Sequence, residues 1–184
     1  MSFHNYLILL FTLSEVLLLV LKRSKKDSVK NRDDRRSLLL FWIIIPVCFT
    51  LGGVIRPEAL NANPEVFERA GIVVFAIGFI IRWLSIIQLG SMFTVDVSIS
   101  NAHILKTNGL YKIVRHPSYL GLMLIIAGIS LLMSNWLSCL IIIVPIFIVT
   151  NYRISVEEKV LTAEFGSQYD EYKQRVKKII PLLY

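Results

Sequence analysis

The chain has 184 residues, 55% of them hydrophobic and 18% charged, with a mean hydropathy of +0.63. That balance excludes an ordinary water-soluble domain and points to a bilayer as solvent, while nine Gly and six Pro exclude a disordered tail or a collagen-like rod. A net charge of +7 could serve nucleic acid in a soluble protein; in a membrane protein it marks cytoplasmic loops loaded with Lys and Arg.

The apolar residues fall in blocks, judged against the roughly 20 residues that one spanning helix needs. The first is Phe3–Leu21, the second Ser37–Ile55, and the third runs from Val66 to Leu89. Two shorter blocks, Ser118–Met133 and Trp136–Thr150, are separated only by Ser134 and Asn135 and read as a tight helical hairpin with a polar tip. The expected fold is an all-α integral membrane domain with about five transmembrane helices. Short extended segments at the cytoplasmic face and a C-terminal cytoplasmic helix complete it. No internal repeat or linker divides residues 1–184, so a single domain is expected, with 1–65 as its variable amino-terminal helices.

Charge sets the orientation. Eight of the twenty Lys and Arg lie between Lys22 and Arg36, three more are Lys106, Lys112 and Arg115, and six follow Asn151. With the amino terminus outside, all of these fall on the cytoplasmic side, as the positive-inside rule requires. Met1–Leu10 lacks a cationic start, so a cleaved signal peptide is not expected. The first basic loop reads as a topology signal that touches anionic lipid. Nucleic acid is not the expected partner, because no aromatic interleaving accompanies the charge. Cys48 and Cys139 are isolated in apolar runs and form no disulfide framework or metal-ligand pattern.

Three places carry chemistry. Arg82 is a charge inside the third block, where it either faces a wet interior or snorkels to the interface, with Glu15 as a candidate partner. The segment from Leu89 to Pro117 alternates Thr, Val and Ile and holds Asn108-Gly109, which predicts short extended pieces and a turn. It ends in Arg115-His116-Pro117-Ser118-Tyr119-Leu120-Gly121. Pro117 suits a first helical turn and holds His116 extended; the free N–H groups of that turn and the fork-shaped cation of Arg115 favour an anionic group. Beyond the hairpin come Arg153, Glu157 and Glu158. Neighbouring glutamates point about 100° apart on a helix, so both cannot face one ligand squarely, whereas Arg153 and Glu157 share a face. The hairpin returns the chain to the side it left, so the two polar clusters can meet. Taken without further information, each cluster is equally a charged helix end.

The run GLYKIVRHPSYLG, followed after the hairpin by RISVEEKVLTAEFGSQYDEYKQRVKKIIP, resembles the carboxy-terminal half of the isoprenylcysteine carboxyl methyltransferase family, with phospholipid N-methyltransferases as relatives. The resemblance covers residues 81–181, including LGSMFT and the HxLxxxGLY lead-in at His103–Tyr111. It implies a membrane-embedded enzyme that uses S-adenosyl-L-methionine to methylate a lipophilic small-molecule or lipid-tethered substrate, most simply at a carboxylate. It implies a cofactor pocket with His116, Pro117, Tyr119 and Gly121 on one wall and carboxylates from Glu157 and Glu158. His103, Leu105, Gly109 and Tyr111 would close over the adenosyl group. Arg153 or Arg115 would orient the substrate carboxylate, with Glu157 beside them. Small versions of this architecture imply a microbial cytoplasmic membrane. After RHPxYxG the chain reads LMLIIAGISLL instead of the aromatic-rich stretch of the eukaryotic enzymes, which leaves an isoprenoid or other lipid-soluble acid, amine or thiol open as substrate. Rival readings are a phospholipid or amine N-methyltransferase, an NADPH-dependent membrane reductase of related architecture, and a non-catalytic membrane scaffold.

Overall fold

A computed structural model of the chain describes residues 3–22, 32–54, 63–95 and 104–181. His103, most of the first basic loop and the middle of the alternating Thr/Val/Ile segment lie outside the described residues. Among the described residues the α-helices are α1 (Phe3–Leu21), α2 (Arg32–Val54), α3 (Pro64–Leu89), α4 (Pro117–Leu131), α5 (Trp136–Phe165) and α6 (Ser167–Arg175), with short 3-10 turns at Gly90–Met92 and Gly109–Lys112. Among the described residues there is no strand, and the only ladder-type pairing is an isolated parallel bridge between Val114 and Lys177. The all-α architecture is as expected.

Three helices are long and apolar enough to cross a membrane, over Arg35–Val54, Pro64–Met92 and Trp136–Phe165; α1 and α4 are shorter apolar helices. The two hairpin arms are therefore unequal. Its second arm does not stop at Thr150, because α5 continues without a break for 30 residues. At 1.5 Å per residue that is about 45 Å, against a hydrocarbon core of about 30 Å, so its last ten or so residues stand outside the apolar layer. The second helix also starts five residues earlier than the apolar block, at Arg32.

The lipid-type surface is plain in the side chains. Leu13, Val20, Val54, Ile87 and Ile148 are all more than half exposed, which water would penalise and acyl chains do not. Buried residues form two clusters. Cys48, Leu122, Ile126, Ile142 and Ile146 join α2, α4 and α5, and Phe75, Ile125 and Ile129 join α3 to α4. The α3–α4 contact is the closest, because both helices present glycine to it. A Cβ on Gly78 would lie 2.6 Å from the Ile125 nitrogen, and one on Gly128 would lie 2.5 Å from the Phe75 nitrogen. Without a solvophobic drive inside lipid, such close backbone approach is what holds helices together.

The hairpin tip is built from Ser134, at φ +54°, and Asn135, whose side-chain oxygen accepts from the N–H groups of Leu137 (2.9 Å) and Ser138 (3.4 Å) and so caps α5. At its other end α5 stops at Phe165, where Gly166 (φ +52°) reverses the chain into α6.

Candidate active site

The polar end of the hairpin is organised around Arg115. The segment Val114–His116 runs beside the chain that follows α6, with Arg115 N–H donating to Lys177 O (2.8 Å) and His116 N–H to Lys178 O (3.0 Å). Pro117 then starts α4 at its first turn, and His116 sits before it at φ −123° and ψ 62°, outside the helical region but less extended than the proline alone would give. The Arg115 guanidinium bonds Glu158 through Nε (2.9 Å) and Nη2 (2.8 Å), while Nη1 donates to the carbonyls of Lys173 (3.2 Å) and Val176 at the end of α6. One side chain thus ties α4's entry, α5 and α6 together, with a cation at a helix C-terminus where the dipole favours it.

Glu158 receives more than Arg115. His116 Nε2 lies 3.1 Å from the same carboxylate oxygen, and the Tyr169 hydroxyl donates to it at 3.4 Å. Burial alone would raise the Glu158 carboxyl, but the hydrogen bond and charge of His116 and the Arg115 guanidinium outweigh it and hold it at about 2. Glu157, one residue earlier, points elsewhere, with His116 Nδ1 3.8 Å away. Tyr119 and Arg153 line the same cavity as Glu157. Arg153 is buried, at 4% exposure, and donates to the Ser37 hydroxyl (2.9 Å) on α2 and to Val95 O (2.5 Å).

The lead-in is locked to α3 and α6. Gly109 adopts φ +61°, and a Cβ there would fall 2.5 Å from the Gln88 side-chain oxygen, which accepts from Leu110 N–H (3.0 Å). The Tyr111 hydroxyl donates to Ser85 O (3.3 Å), and the Tyr172 hydroxyl donates to Tyr111 O (2.5 Å). Burial pushes the Tyr172 phenol up to about 12, so it stays a donor at any working pH.

These groups surround one cavity. Its lining brings Phe165, Tyr169 and Tyr172 together with Leu38, Phe41 and Trp42 of α2. Of the residues singled out in the sequence, Leu105, Tyr111, Arg115, His116, Tyr119, Arg153 and Glu157 line it. Gly109, Pro117, Gly121 and Glu158 do not: they act on the wall from behind. Gly121 faces α3, where a Cβ would lie 2.5 Å from the Arg82 nitrogen, so its small size serves a neighbouring helix. Lys106 and the α2 wall also line the cavity and were not singled out. A basic residue within the lead-in motif was a readable signal for Lys106. The α2 wall had none, because apolar residues facing lipid and apolar residues facing a cavity look alike in sequence.

Arg82 neither snorkels nor faces lipid. It is 7% exposed and holds Glu15 in a forked pair, with Nε and Nη2 each 2.6 Å from a different carboxylate oxygen.

Comparison with known proteins adds the decisive observation. The profile of the isoprenylcysteine carboxyl methyltransferase (ICMT) family matches residues 70–163, which contain all of α4, nearly all of α5, most of α3 and every charged residue of the cavity except Glu15. The chain belongs to the ICMT family. The protein-S-isoprenylcysteine O-methyltransferase of Schizosaccharomyces pombe is 31% identical over 126 residues, covering 67% of this chain and 53% of that protein. Protein-S-isoprenylcysteine O-methyltransferase B of Arabidopsis thaliana is 35% identical over 115 residues, covering 61% and 58%. The solved structure of the eukaryotic intramembrane Ras methyltransferase ICMT aligns with a TM-score of 0.69 at 26% identity, over 98% of this chain and 65% of that one. The chain thus spans between half and two thirds of the length of these ICMT relatives. Integral membrane placement follows from ICMT membership together with the apolar helices.

Proposed function

We propose that the chain is a membrane-embedded methyltransferase that carries a methyl group from S-adenosyl-L-methionine to the carboxylate of a lipophilic substrate of the S-isoprenylcysteine kind. The observation that carries this reading is the mixed lining of the cavity. Charged and aromatic groups from the end of α5, α6 and the α4 entry share it with Leu38, Phe41 and Trp42 of α2. That lining suits one water-soluble and one lipid-borne reactant meeting at Arg153, Tyr119 and Glu157. The family and the names of the relatives favour the same chemistry.

The residues present fit the cofactor. Glu157 offers a carboxylate to its ammonium or ribose hydroxyls, Lys106 a cation to its carboxylate, and Tyr111, Tyr119 and Phe165 offer faces to the adenine. When bound, the group supplies a methyl already activated by sulfonium charge: the new bond joins it to a carboxylate oxygen, the C–S bond breaks, and the electron pair leaves on sulfur as a neutral thioether. No proton moves, so no general base is required, and a carboxylate is ionised at neutral pH. The protein's work is alignment and water exclusion. Arg153 orients the acceptor, its own position fixed from α2 by Ser37 and from the α3–α4 connection by Val95 O. Glu158 and Arg115 are not spent on ligands; they fix the wall from which His116 and Glu157 project. By the charge distribution, the polar groups of the cavity face the cytoplasm.

Calorimetric titration of the detergent-solubilised protein with S-adenosylhomocysteine tests this, together with transfer of radiolabelled methyl to an N-acetylated S-prenylcysteine. Binding and label in base-labile ester are expected. Absence of heat from protein shown to be folded would sink the methyltransferase reading, and binding of the product without transfer to any carboxylate would remove the acceptor class.

A further inference from the structure

The cavity is also lined by a charged pair that the chemistry above leaves unused. Glu15 is the one Asp, Glu, Lys or Arg in α1, and it lines the cavity beside Arg82 and Ser118. Packing holds α1 along one side only: Leu7 and Phe11 lie against the core clusters, Ser14 and Leu18 are buried, and most of the other described side chains face outward. The charge that α1 brings into the bundle is the Glu15 carboxylate, with both oxygens on Arg82 at 2.6 Å.

The third nitrogen of Arg82 points the other way. Its Nη1 donates to Ser118 O (3.2 Å) and Ser118 Oγ (3.1 Å). Ser118 is the residue between Pro117 and Tyr119, in the first turn of α4. Gly121, one turn later, lets the Arg82 backbone approach that turn directly. A line of contacts therefore runs from Glu15 to Arg82, to Ser118, and by one peptide bond to Tyr119, which lines the same cavity as Arg153 and Glu157. Arg82 cannot shed its charge, and in these surroundings it needs an anion. With Glu15 removed, the carboxylates within the cavity would be Glu157 and the incoming acceptor itself. Either capture would misplace the reacting group.

We propose that Glu15 and Arg82 are positioning residues for methyl transfer. Glu15 holds Arg82 against the first turn of α4 and prevents its charge from capturing the acceptor carboxylate, so the amino-terminal helix completes the site. This rests on the methyltransferase reading above. It is independent of the family match at residues 70–163, which does not include α1.

The test compares Glu15→Gln and the charge swap Glu15→Arg/Arg82→Glu with the wild type, measuring thermal unfolding, S-adenosylhomocysteine affinity, and kcat and KM for an N-acetylated S-prenylcysteine. For Glu15→Gln we expect kcat to fall about tenfold or more with KM unchanged or lower, and cofactor-product affinity within about threefold of wild type. The swap keeps both charges and is expected to recover the unfolding temperature. It leaves kcat low, because a carboxylate at position 82 cannot donate to Ser118. A purely structural pair would recover kcat together with stability in the swap, and that result, or wild-type kcat in Glu15→Gln, overturns the proposal alone. Should Glu15→Gln not fold, the swap by itself decides between the two. Failure of the wild type to bind S-adenosylhomocysteine overturns the underlying reading, and this proposal with it.

Discussion

Glu157 and Glu158 are adjacent, identical and differently employed. The 100° between them turns Glu157 into the cavity and Glu158 into the Arg115–His116–Tyr169 cluster behind the wall. Substituting each by Gln should therefore separate two effects. Glu157→Gln is expected to weaken S-adenosylhomocysteine binding about tenfold, or roughly 1.4 kcal/mol, with little change in unfolding temperature. Glu158→Gln leaves the largely buried Arg115 cation without its anion and should cost about 3 kcal/mol of stability. Because the Glu158 carboxyl is held below its ordinary 4.5, that stabilisation is fully present above about pH 5 and fades as the pH falls through about 2. The unfolding temperatures of wild type and Glu158→Gln should accordingly converge on acidification. Calorimetry for the first variant and thermal unfolding from neutral to acidic pH for the second check both; equal effects on binding from the two variants would refute the division.

How much of this the amino-acid sequence discloses differs between residues. Glu157, Arg153, Arg115, His116 and Tyr119 stand out because charge and a recognisable motif coincide in them, and all five line the cavity. The pairing of Arg115 with Glu158 over Glu157 is a matter of a single helical step, which spacing narrows but does not decide. Gly121 suggests a close approach without saying what approaches, and the partner turns out to be the Arg82 backbone. Arg82 itself had two readings in the sequence, and only the meeting of α1 with α3 selects between them.

Among the helices, α3 and α4 depend on one another most. Gly71 and Gly78 on α3 meet Gly121 and Gly128 on α4, two pairs at the same spacing of seven, near two helical turns. Gly121→Ala places a Cβ against backbone that cannot yield, so a loss of about 1–3 kcal/mol and a misaligned first turn of α4 are expected. Gly53→Ala is the control: nothing lies within 4 Å of its Cβ, so the better helix former should be neutral or stabilising by up to about 1 kcal/mol. Thermal unfolding in detergent checks both, and equal behaviour of the two variants would remove the close-packing argument. The apolar blocks marked these helices within a few residues. What they missed was the continuation of α5, since the charged residues after Thr150 read as a change of environment when only the solvent changes and the helix does not.

Across the whole molecule, the proposed topology has α1 to α5 alternate sides of the bilayer, with the side of each connection read from its Lys and Arg. A cysteine in place of the exposed Gln168 on α6 should react with an impermeant thiol reagent only after the membrane is opened, whereas one in place of the exposed Asn63 before α3 should react on intact cells. Cys48 and Cys139 are buried and give little background. Labelling of Gln168→Cys from outside would invert the orientation. The fold class follows directly from composition, because the solvent it implies admits few alternatives to helices. The unequal hairpin and the route of the cavity along α2 do not, since both depend on how helices of similar apolarity are arranged.

One continuous rod, α5, runs from the hairpin tip at Asn135 to Arg153 and Glu157, the groups proposed to hold the two reactants. On that proposal the depth of the site is measured from the far leaflet, and bilayer thickness becomes a variable of the chemistry. Lipids with longer acyl chains would draw Arg153 toward hydrocarbon and set the energy of hydrophobic mismatch against the bonds to Ser37 and Val95; shorter ones would lift the cavity's apolar wall out of the leaflet that delivers the substrate.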